Sequence, residues 1–163
     1  MKVAIVYYSL SGKTRAVSNL MAKLLRDAGH EVSVFEVRPA KEYSRRLAHI
    51  NPRIIKDTLS NNIIEIKGVE GFNPREYDLL IIATPIWIGR ITPPIRSFIE
   101  KFRNELTKPV ICVTTSDIRR DYSLKFREYL ESRGIKVVGN VSFVSLEDVE
   151  RVMETLIKKL LIK

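Results

Sequence analysis

The feature that most constrains the fold is a repeated switch between two hydrophobic patterns along the chain. Short apolar runs without alternation, typical of strands buried on both faces, begin at Val3, Leu79 and Val110. Between them lie segments with apolar residues at helical spacing, such as the one from Ala16 to Ala28. The remaining predicted elements are strands at 32–37 and 136–143 and helices at 93–102, 122–130 and 146–161.

Strands that alternate with helices through short connections predict a parallel sheet covered by helices on both faces. We therefore expect a three-layer α/β fold with a doubly wound, five-stranded parallel sheet in the strand order 2-1-3-4-5. The one long connection, residues 38–77, holds a predicted helix near 45–59, which Pro52 can break, and an apolar run at 63–66. Because the 163 residues show no internal repeat and no linker, residues 1–163 are expected to form a single domain.

Composition argues against several classes of protein. The only cysteine is Cys112, so no intrachain disulfide can form, and a reducing cytoplasm is the expected location. With that cysteine, the two histidines, His30 and His49, are too few for a zinc site unless several carboxylates join them. The most apolar stretch, Leu79–Gly89, is shorter than the roughly 20 residues that cross a bilayer, so membrane insertion is not expected.

The segment Ser9–Arg15, between the first strand and the first helix, is typical of an anion site. A nucleoside-triphosphate loop, G-x-x-x-x-G-K-[ST], would need a glycine where this chain has Tyr7, which argues against an NTPase. Instead, hydroxyl groups surround Gly12 at the start of the helix, where free backbone N–H groups and the helix dipole favour an anion. The hydroxyls belong to Ser9, Ser11 and Thr14, and the nearby positive charges to Lys13 and Arg15. We expect a phosphomonoester site without a metal; the alternative is an ordinary turn in which Ser11 only caps the helix.

A second unusual segment, residues 84–94, follows the third strand. It contains Trp87, Gly89, several isoleucines and three prolines, a composition too apolar for a plain solvated turn. In the expected strand order, strands one and three are neighbours where the chain reverses direction, and ligands bind at such a point. Trp87 offers an aromatic face to a planar ligand, and Gly89 permits close approach of the backbone. The alternative is that Trp87 packs in the core or at a subunit contact.

Three segments together resemble the cofactor-binding loops of the flavodoxin-like family, which bind FMN. Ser9–Arg15 is close to the family pattern [ST]-x-[ST]-G-x-T. Residues 84–89 are similar to the T-P-[IV]-[WY]-x-G loop of the branch nearer to flavin-dependent quinone reductases. Residues 114–117 are a weaker match, because they lack the glycines that many relatives have there. The resemblance covers the whole chain in element order and implies a flavodoxin-like fold with FMN as the cofactor.

By this resemblance, three groups of residues contact FMN. The phosphate is assigned to Ser9, Ser11, Gly12, Lys13 and Thr14, one side of the ring to Pro85, Ile86, Trp87 and Gly89, and its other side to Thr115, Ser116 and Asp117. No catalytic side chain is expected, since the flavin supplies the redox chemistry and the protein positions it.

The function implied by the resemblance is that of an FMN-binding protein that shuttles electrons between cytosolic redox partners. The first alternative is an NAD(P)H-dependent FMN or quinone reductase of the same fold, in which NAD(P)H or quinone stacks on the ring and a second subunit often shapes the site. The second alternative is an interaction module without flavin that uses a basic surface.

Positive charge is concentrated in one part of the chain. There are 28 Lys and Arg against 19 Asp and Glu, a net charge of +9, and residues 38–56 hold six basic residues and one acid. Such a segment favours an acidic redox partner, because complementary charge mainly accelerates encounter. No nucleic-acid-binding motif accompanies the charge, so nucleic acid is not an expected partner. The alternative is a solvated helix face with no partner.

Overall fold

The fold is described by a computed structural model for residues 1–161, with side chains up to Lys159. The helices are α1 (Lys13–Asp27), α2 (Pro52–Leu59), α3 (Pro93–Phe102), α4 (Ser123–Glu131) and α5 (Leu146–Leu161). The strands are β1 (Lys2–Tyr7), β2 (Glu31–Glu36), β3 (Arg38–Pro39), β4 (Ile66–Lys67), β5 (Leu79–Trp87), β6 (Arg90–Ile91), β7 (Val110–Thr115) and β8 (Val137–Phe143). The apolar stripe predicted for the last helix extends to Leu160 and Leu161, whose side chains lie outside the described residues.

The five long strands form a parallel sheet in the order β2-β1-β5-β7-β8, which confirms the predicted strand order. Tyr7 of β1 lies beside Ala83 of β5, and Pro85 of β5 lies beside Thr115 of β7. The carboxyl ends of the three central strands therefore meet at one edge of the sheet. In a doubly wound sheet this is where ligands bind.

The predicted three layers follow from the two-residue period of the strands. Ala4 and Val6 of β1 face a core that includes Phe98 of α3 and Phe126 of α4. The residues between them face a second core, which α1 and α5 cover. Each central strand is thus buried on both faces, as its unbroken apolar sequence predicts.

The segment after the third long strand differs from its prediction. Residues 84–94 were expected to form a loop, but β5 continues to Trp87, and Thr84 and Pro85 still pair with β7. The chain then turns, and Trp87 lies beside Arg90 of the short antiparallel strand β6. Pro85 is compatible with this strand because it follows the part of β5 that is paired with β1.

The long connection between β2 and β5 holds a shorter helix than predicted. A helix near 45–59 with a break at Pro52 was expected; the structure has a 3₁₀ turn at Ala48–Ile50, and α2 begins at Pro52. Leu47 has a positive φ of 50°, which no α-helix accommodates, and Pro52 lacks the N–H that a continuous helix requires. The side chain of Asn51 caps α2 by accepting from the N–H groups of Arg53 and Ile54.

Within residues 1–161, no helix is long and apolar enough to cross a membrane. The same residues contain no group of three or more His, Cys, Asp or Glu side chains that could hold a metal ion. Cys112 is fully buried, and its burial raises the pKa of the thiol to about 12. A thiol in this environment stays protonated and unreactive at neutral pH.

Candidate functional site

Three segments from the ends of β1, β5 and β7 meet around one open cleft of about 370 Å³. We name them the first loop (residues 8–12), the hairpin (residues 84–92) and the third loop (residues 116–122). Ten of the twelve site residues predicted from the sequence line this cleft, the exceptions being Ser9 and Gly12 in the turn of the first loop. The ten are Ser11, Lys13, Thr14, Pro85, Ile86, Trp87, Gly89, Thr115, Ser116 and Asp117.

The first loop leads into the N-terminus of α1 through a left-handed glycine. Gly12 has a φ of 100°, and its N–H donates to the hydroxyl of Ser9 at 3.0 Å. Among the described residues, no side chain caps α1, and its first turn contains no acid. The first N–H groups of a helix have no intrahelical partner, so this end of the cleft carries unpaired donors and the positive end of the helix dipole.

Two contacts join α1 to β7 and the third loop. The hydroxyls of Thr14 and Thr115 form a buried hydrogen bond of 2.7 Å. Lys13 Nζ donates to the carbonyl of Ser116 at 2.8 Å and to Asp117 Oδ1 at 2.7 Å. Because only one hydrogen lies between two hydroxyls, the accepting threonine keeps its own hydrogen for another acceptor. These protein contacts therefore fix the start of α1 against β7 and the third loop.

The cations of Ser9–Arg15 are engaged by acids. Lys13 forms its ion pair with Asp117, and Arg15 forms one with Glu36 at the end of β2. The contact with Glu36 raises the pKa of the Arg15 guanidinium further above its ordinary value. The positive charge predicted at the first loop is present, but Asp117 and Glu36 partly offset it.

The hairpin carries local backbone strain. Its two turn residues, Ile88 and Gly89, have φ angles of 51° and 69°, the arrangement that a two-residue hairpin requires. Glycine adopts this conformation freely, whereas a β-branched residue rarely does, and the cost is about 1–2 kcal/mol. Ile88 is also 53% exposed, so burial of its side chain does little to offset that cost. Strained residues of this kind concentrate at functional sites.

Trp87 is held by two tyrosines at the base of the hairpin. The ring of Tyr8 meets it edge-on at a centroid distance of 5.6 Å, and the ring of Tyr43 does so at 5.4 Å. Burial raises the pKa values of both phenols, so the rings around Trp87 are neutral. The indole is only partly buried and lines the cleft, so it is neither a core residue nor a freely solvated one.

The third loop contributes two residues to the cleft beyond Ser116 and Asp117. Ile118 is 63% exposed and Tyr122 is buried, and both line the cleft, as does Ile88 of the hairpin. The loop forms without glycine because short-range hydrogen bonds replace it: the Ser116 hydroxyl donates to the carbonyl of Ile118 at 2.7 Å. The only sequence signal was an isoleucine in each of the two segments, Ile88 and Ile118, and it is a weak one because single apolar residues are common on protein surfaces.

Comparison with known proteins gives the family of the chain. Residues 1–145 match the family described as NADPH-dependent FMN reductase. The chain belongs to that family. No curated protein sequence matches the chain at a significant level.

Solved structures of flavoproteins share the fold of this family member. A flavoprotein from Lactobacillus acidophilus NCFM, solved in complex with FMN, has a TM-score of 0.69 at 20% identity, over 86% of this chain and 92% of its own. The two-electron reduced flavodoxin of Megasphaera elsdenii has a TM-score of 0.63 at 16% identity, over 96% and 98% of the two chains. Oxidised flavodoxin 1 from Bacillus cereus has a TM-score of 0.54 at 18% identity, over 95% and 94%.

The family assignment confirms that the chain is a flavodoxin-like flavoprotein and that FMN is its cofactor. The structural similarities, all at low identity, confirm the flavodoxin-like fold. The description of the family supports the reductase alternative about as well as it supports an electron carrier.

Proposed function

We propose that this FMN reductase family member holds FMN in the three-loop cleft, with the phosphate at the first loop and the ring along the hairpin. The observation that supports this arrangement is that one cleft combines unpaired helix N–H donors with a partly buried tryptophan. The helix N–H donors suit a phosphate, and the face of the tryptophan suits a flat aromatic ring. All twelve residues named from the sequence lie in or directly beside this cleft.

In this arrangement, the residues of the chain bind and orient while FMN supplies the redox chemistry. The N–H groups at the start of α1 and the exposed hydroxyl of Ser11 donate to the phosphate oxygens. Trp87 and Ile86 contact the ring on one side, and the third loop borders its other side. Ile88 and Ile118 limit the access of water to the ring edge.

The electron-carrier role is supported by the position of the basic residues 38–56. Tyr43 of that segment contacts Trp87, and the guanidinium of Arg53 lies 4.3 Å from the centroid of the Tyr43 ring. The basic segment therefore adjoins the ring end of the cleft. An acidic redox protein steered by this charge would dock close to the FMN ring.

The reductase is a second candidate, favoured by the family description and by the open cleft. Exposed isoleucines on two sides of the cleft, Ile88 and Ile118, offer apolar surface to a nicotinamide or a quinone. Purified FMN-loaded protein should oxidise NADPH in the presence of quinone or added FMN if this candidate is right. A pure carrier should show almost no such activity.

The placement of the phosphate can be tested by replacing Ser11. No hydrogen bond of its hydroxyl to a described residue is found, so Ser11→Ala should leave folding intact. We expect FMN affinity to fall about tenfold, because a hydrogen bond to a charged group contributes roughly 1.5 kcal/mol. Ser33→Ala, at a serine of β2 that lies outside the cleft and whose hydroxyl likewise has no hydrogen bond to a described residue, is the control. Equal FMN affinities in both variants, measured by fluorescence titration, would contradict the proposed site.

A further inference from the structure

A second cavity, of about 350 Å³, opens on the far side of the hairpin. It shares Ile86 and Gly89 of the hairpin and Tyr122 of the third loop with the FMN cleft. We name it the cationic pocket; its polar lining consists of Asn61, Arg90, Arg96, Tyr122, Lys125 and Tyr129. Three of these residues are cations, and no carboxylate of the described residues lines the pocket.

Arg96 is a buried arginine for which no ion pair is found among the described residues. It is 3% exposed, and its guanidinium donates to three backbone carbonyls, those of Asp57 at 2.7 Å, Asn62 at 3.2 Å and Thr58 at 3.4 Å. Its Nε is buried and has no hydrogen-bond partner, and no ion pair is found for it within residues 1–161. A buried charge without a counter-ion is costly, and proteins rarely retain one without a partner.

The acids near Arg96, Asp57 and Glu100, already have other partners. Asp57 accepts from the hydroxyl of Tyr43 at 2.8 Å, and its carboxylate lies 3.7 Å from Arg53 Nε. Glu100 is bound by Arg133 and accepts from the hydroxyl of Tyr129 at 3.1 Å. The carbonyl contacts of Arg96 explain how it anchors residues 57–62, but they do not explain the unpaired Nε or the two further cations beside it.

We propose that the cationic pocket binds the anionic group, phosphate or carboxylate, of the small molecule that reaches the ring end of the FMN cleft. Arg96 forms the floor, and the exposed side chains of Arg90 and Lys125 supply charge at the rim. Because Ile86 and Gly89 line both cavities, a ligand anchored here places its uncharged part at the hairpin. This inference rests on the proposed position of FMN.

The test uses the FMN-loaded protein and two probes, inorganic pyrophosphate and benzoate, titrated by calorimetry at about 0.15 M salt. Arg96 itself is a poor target, because its carbonyl contacts make unfolding of a variant hard to separate from loss of binding. The double variant R90A/K125A removes two exposed cations instead. The matched control is K136A/K159A, which removes the same net charge at exposed positions outside the pocket.

We expect at least one probe to bind the wild-type protein, and R90A/K125A to weaken that binding tenfold or more. The control should weaken it less than twofold, because general surface charge is screened at this salt concentration. Tighter binding of pyrophosphate would indicate a ligand that carries phosphate, and tighter binding of benzoate would indicate one that carries a carboxylate.

Two results would overturn the inference: no binding of either probe, or equal losses in the two double variants. Neither result depends on FMN affinity, which is measured separately in all three proteins by fluorescence titration. Protein that retains no FMN would contradict the proposed function, and the same titrations on it would still decide whether the pocket binds an anion.

Discussion

The two ends of the three-loop cleft, in which we propose that FMN binds, are built in different ways. At the first loop, the positive φ belongs to a glycine, Gly12, and buried hydroxyls are paired with protein atoms. At the hairpin, a positive φ falls on the exposed Ile88, and the site is formed by side chains that contact one another edge-on. The first end is relaxed and made largely of backbone, whereas the second is strained and made largely of side chains.

The two ends should therefore respond to different kinds of substitution. Backbone donors are lost only when the backbone moves, so the phosphate end should be sensitive to conformation more than to side-chain chemistry. The ring end should respond to the size and shape of its side chains, and its strain should be removable without loss of the fold.

The largest change in FMN affinity is expected from Gly12→Ala. A Cβ at this position would meet nothing closer than Arg15, 4.0 Å away, so the cost comes from the φ of 100° rather than from a clash. An alanine at this φ carries about 1–2 kcal/mol of strain. The backbone can relieve that strain by rotating, and the rotation would redirect the N–H groups at the start of α1. We expect FMN affinity to fall about tenfold or more, measured by fluorescence titration.

The control for Gly12 lies at the other end of the same helix. Gly29 has a φ of 86°, and a Cβ there would meet nothing within 4 Å. Gly29→Ala should therefore reduce the free energy of unfolding as much as Gly12→Ala does, yet leave FMN affinity unchanged. Equal FMN affinities in the two variants would show that the backbone of the first loop does not hold the phosphate.

The second largest change in FMN affinity is expected from Trp87→Ala. Loss of the aromatic contact with the ring should reduce FMN affinity about tenfold, and Trp87→Phe should restore most of it. Since Trp87 is the only tryptophan, FMN should also quench most of the tryptophan fluorescence of the wild-type protein. If the alanine variant binds FMN normally and is only less stable to urea, Trp87 serves to pack against Tyr8 and Tyr43 alone.

Both the fold and the first loop could be predicted from the sequence because their signals are local. The apolar runs fix which segments are buried strands, and the hydroxyls around Gly12 stand directly before a helix pattern. The hairpin was predicted as a loop, because Pro85 and Gly89 are residues that commonly interrupt strands. Its pairing of Trp87 with Arg90 depends on two residues of positive φ, one of which is an isoleucine.

Contacts between distant segments could not be predicted in this way. Lys13 and Asp117 are 104 residues apart, and only the sheet order brings them together. Arg96 lies on a helix whose pattern predicts burial, yet nothing in the sequence indicates that three carbonyls of residues 57–62 would surround its guanidinium. The cationic pocket is therefore a product of the tertiary structure rather than of any motif.

A smaller effect, on stability, is expected from Ile88→Asn. Asparagine adopts positive φ at little cost and forms the favoured Asn-Gly turn with Gly89. We expect the free energy of unfolding to rise by about 1 kcal/mol, measured by urea denaturation. Ile63→Asn, at an isoleucine that is 60% exposed and has an ordinary φ, is the control and should bring no gain. Equal changes in the two variants would mean that the hairpin is not strained.

The smallest effect is expected from Asp117→Asn, which probes whether the phosphate end depends on the third loop. The Asp117 side chain is 94% exposed, so loss of its ion pair with Lys13 should cost less than about 0.5 kcal/mol of stability. Lys13 would then be held only by the Ser116 carbonyl and less tightly kept from the phosphate. We expect FMN affinity to rise about two- to threefold, with the gain shrinking as salt is added.

The exposed pair Lys23–Asp27 on the same helix provides the control for this change. Asp27→Asn removes the same charge from α1 but lies at the end of the helix opposite the cleft, so it should leave FMN affinity unchanged. A fall in affinity on replacing Asp117 would reverse the interpretation, because it would mean that Lys13 acts by holding the third loop against the ring. The first loop would then depend on the third loop to bind the phosphate. Both ends of the cleft would depend on side-chain contacts, and the difference between them would be smaller than their backbones suggest.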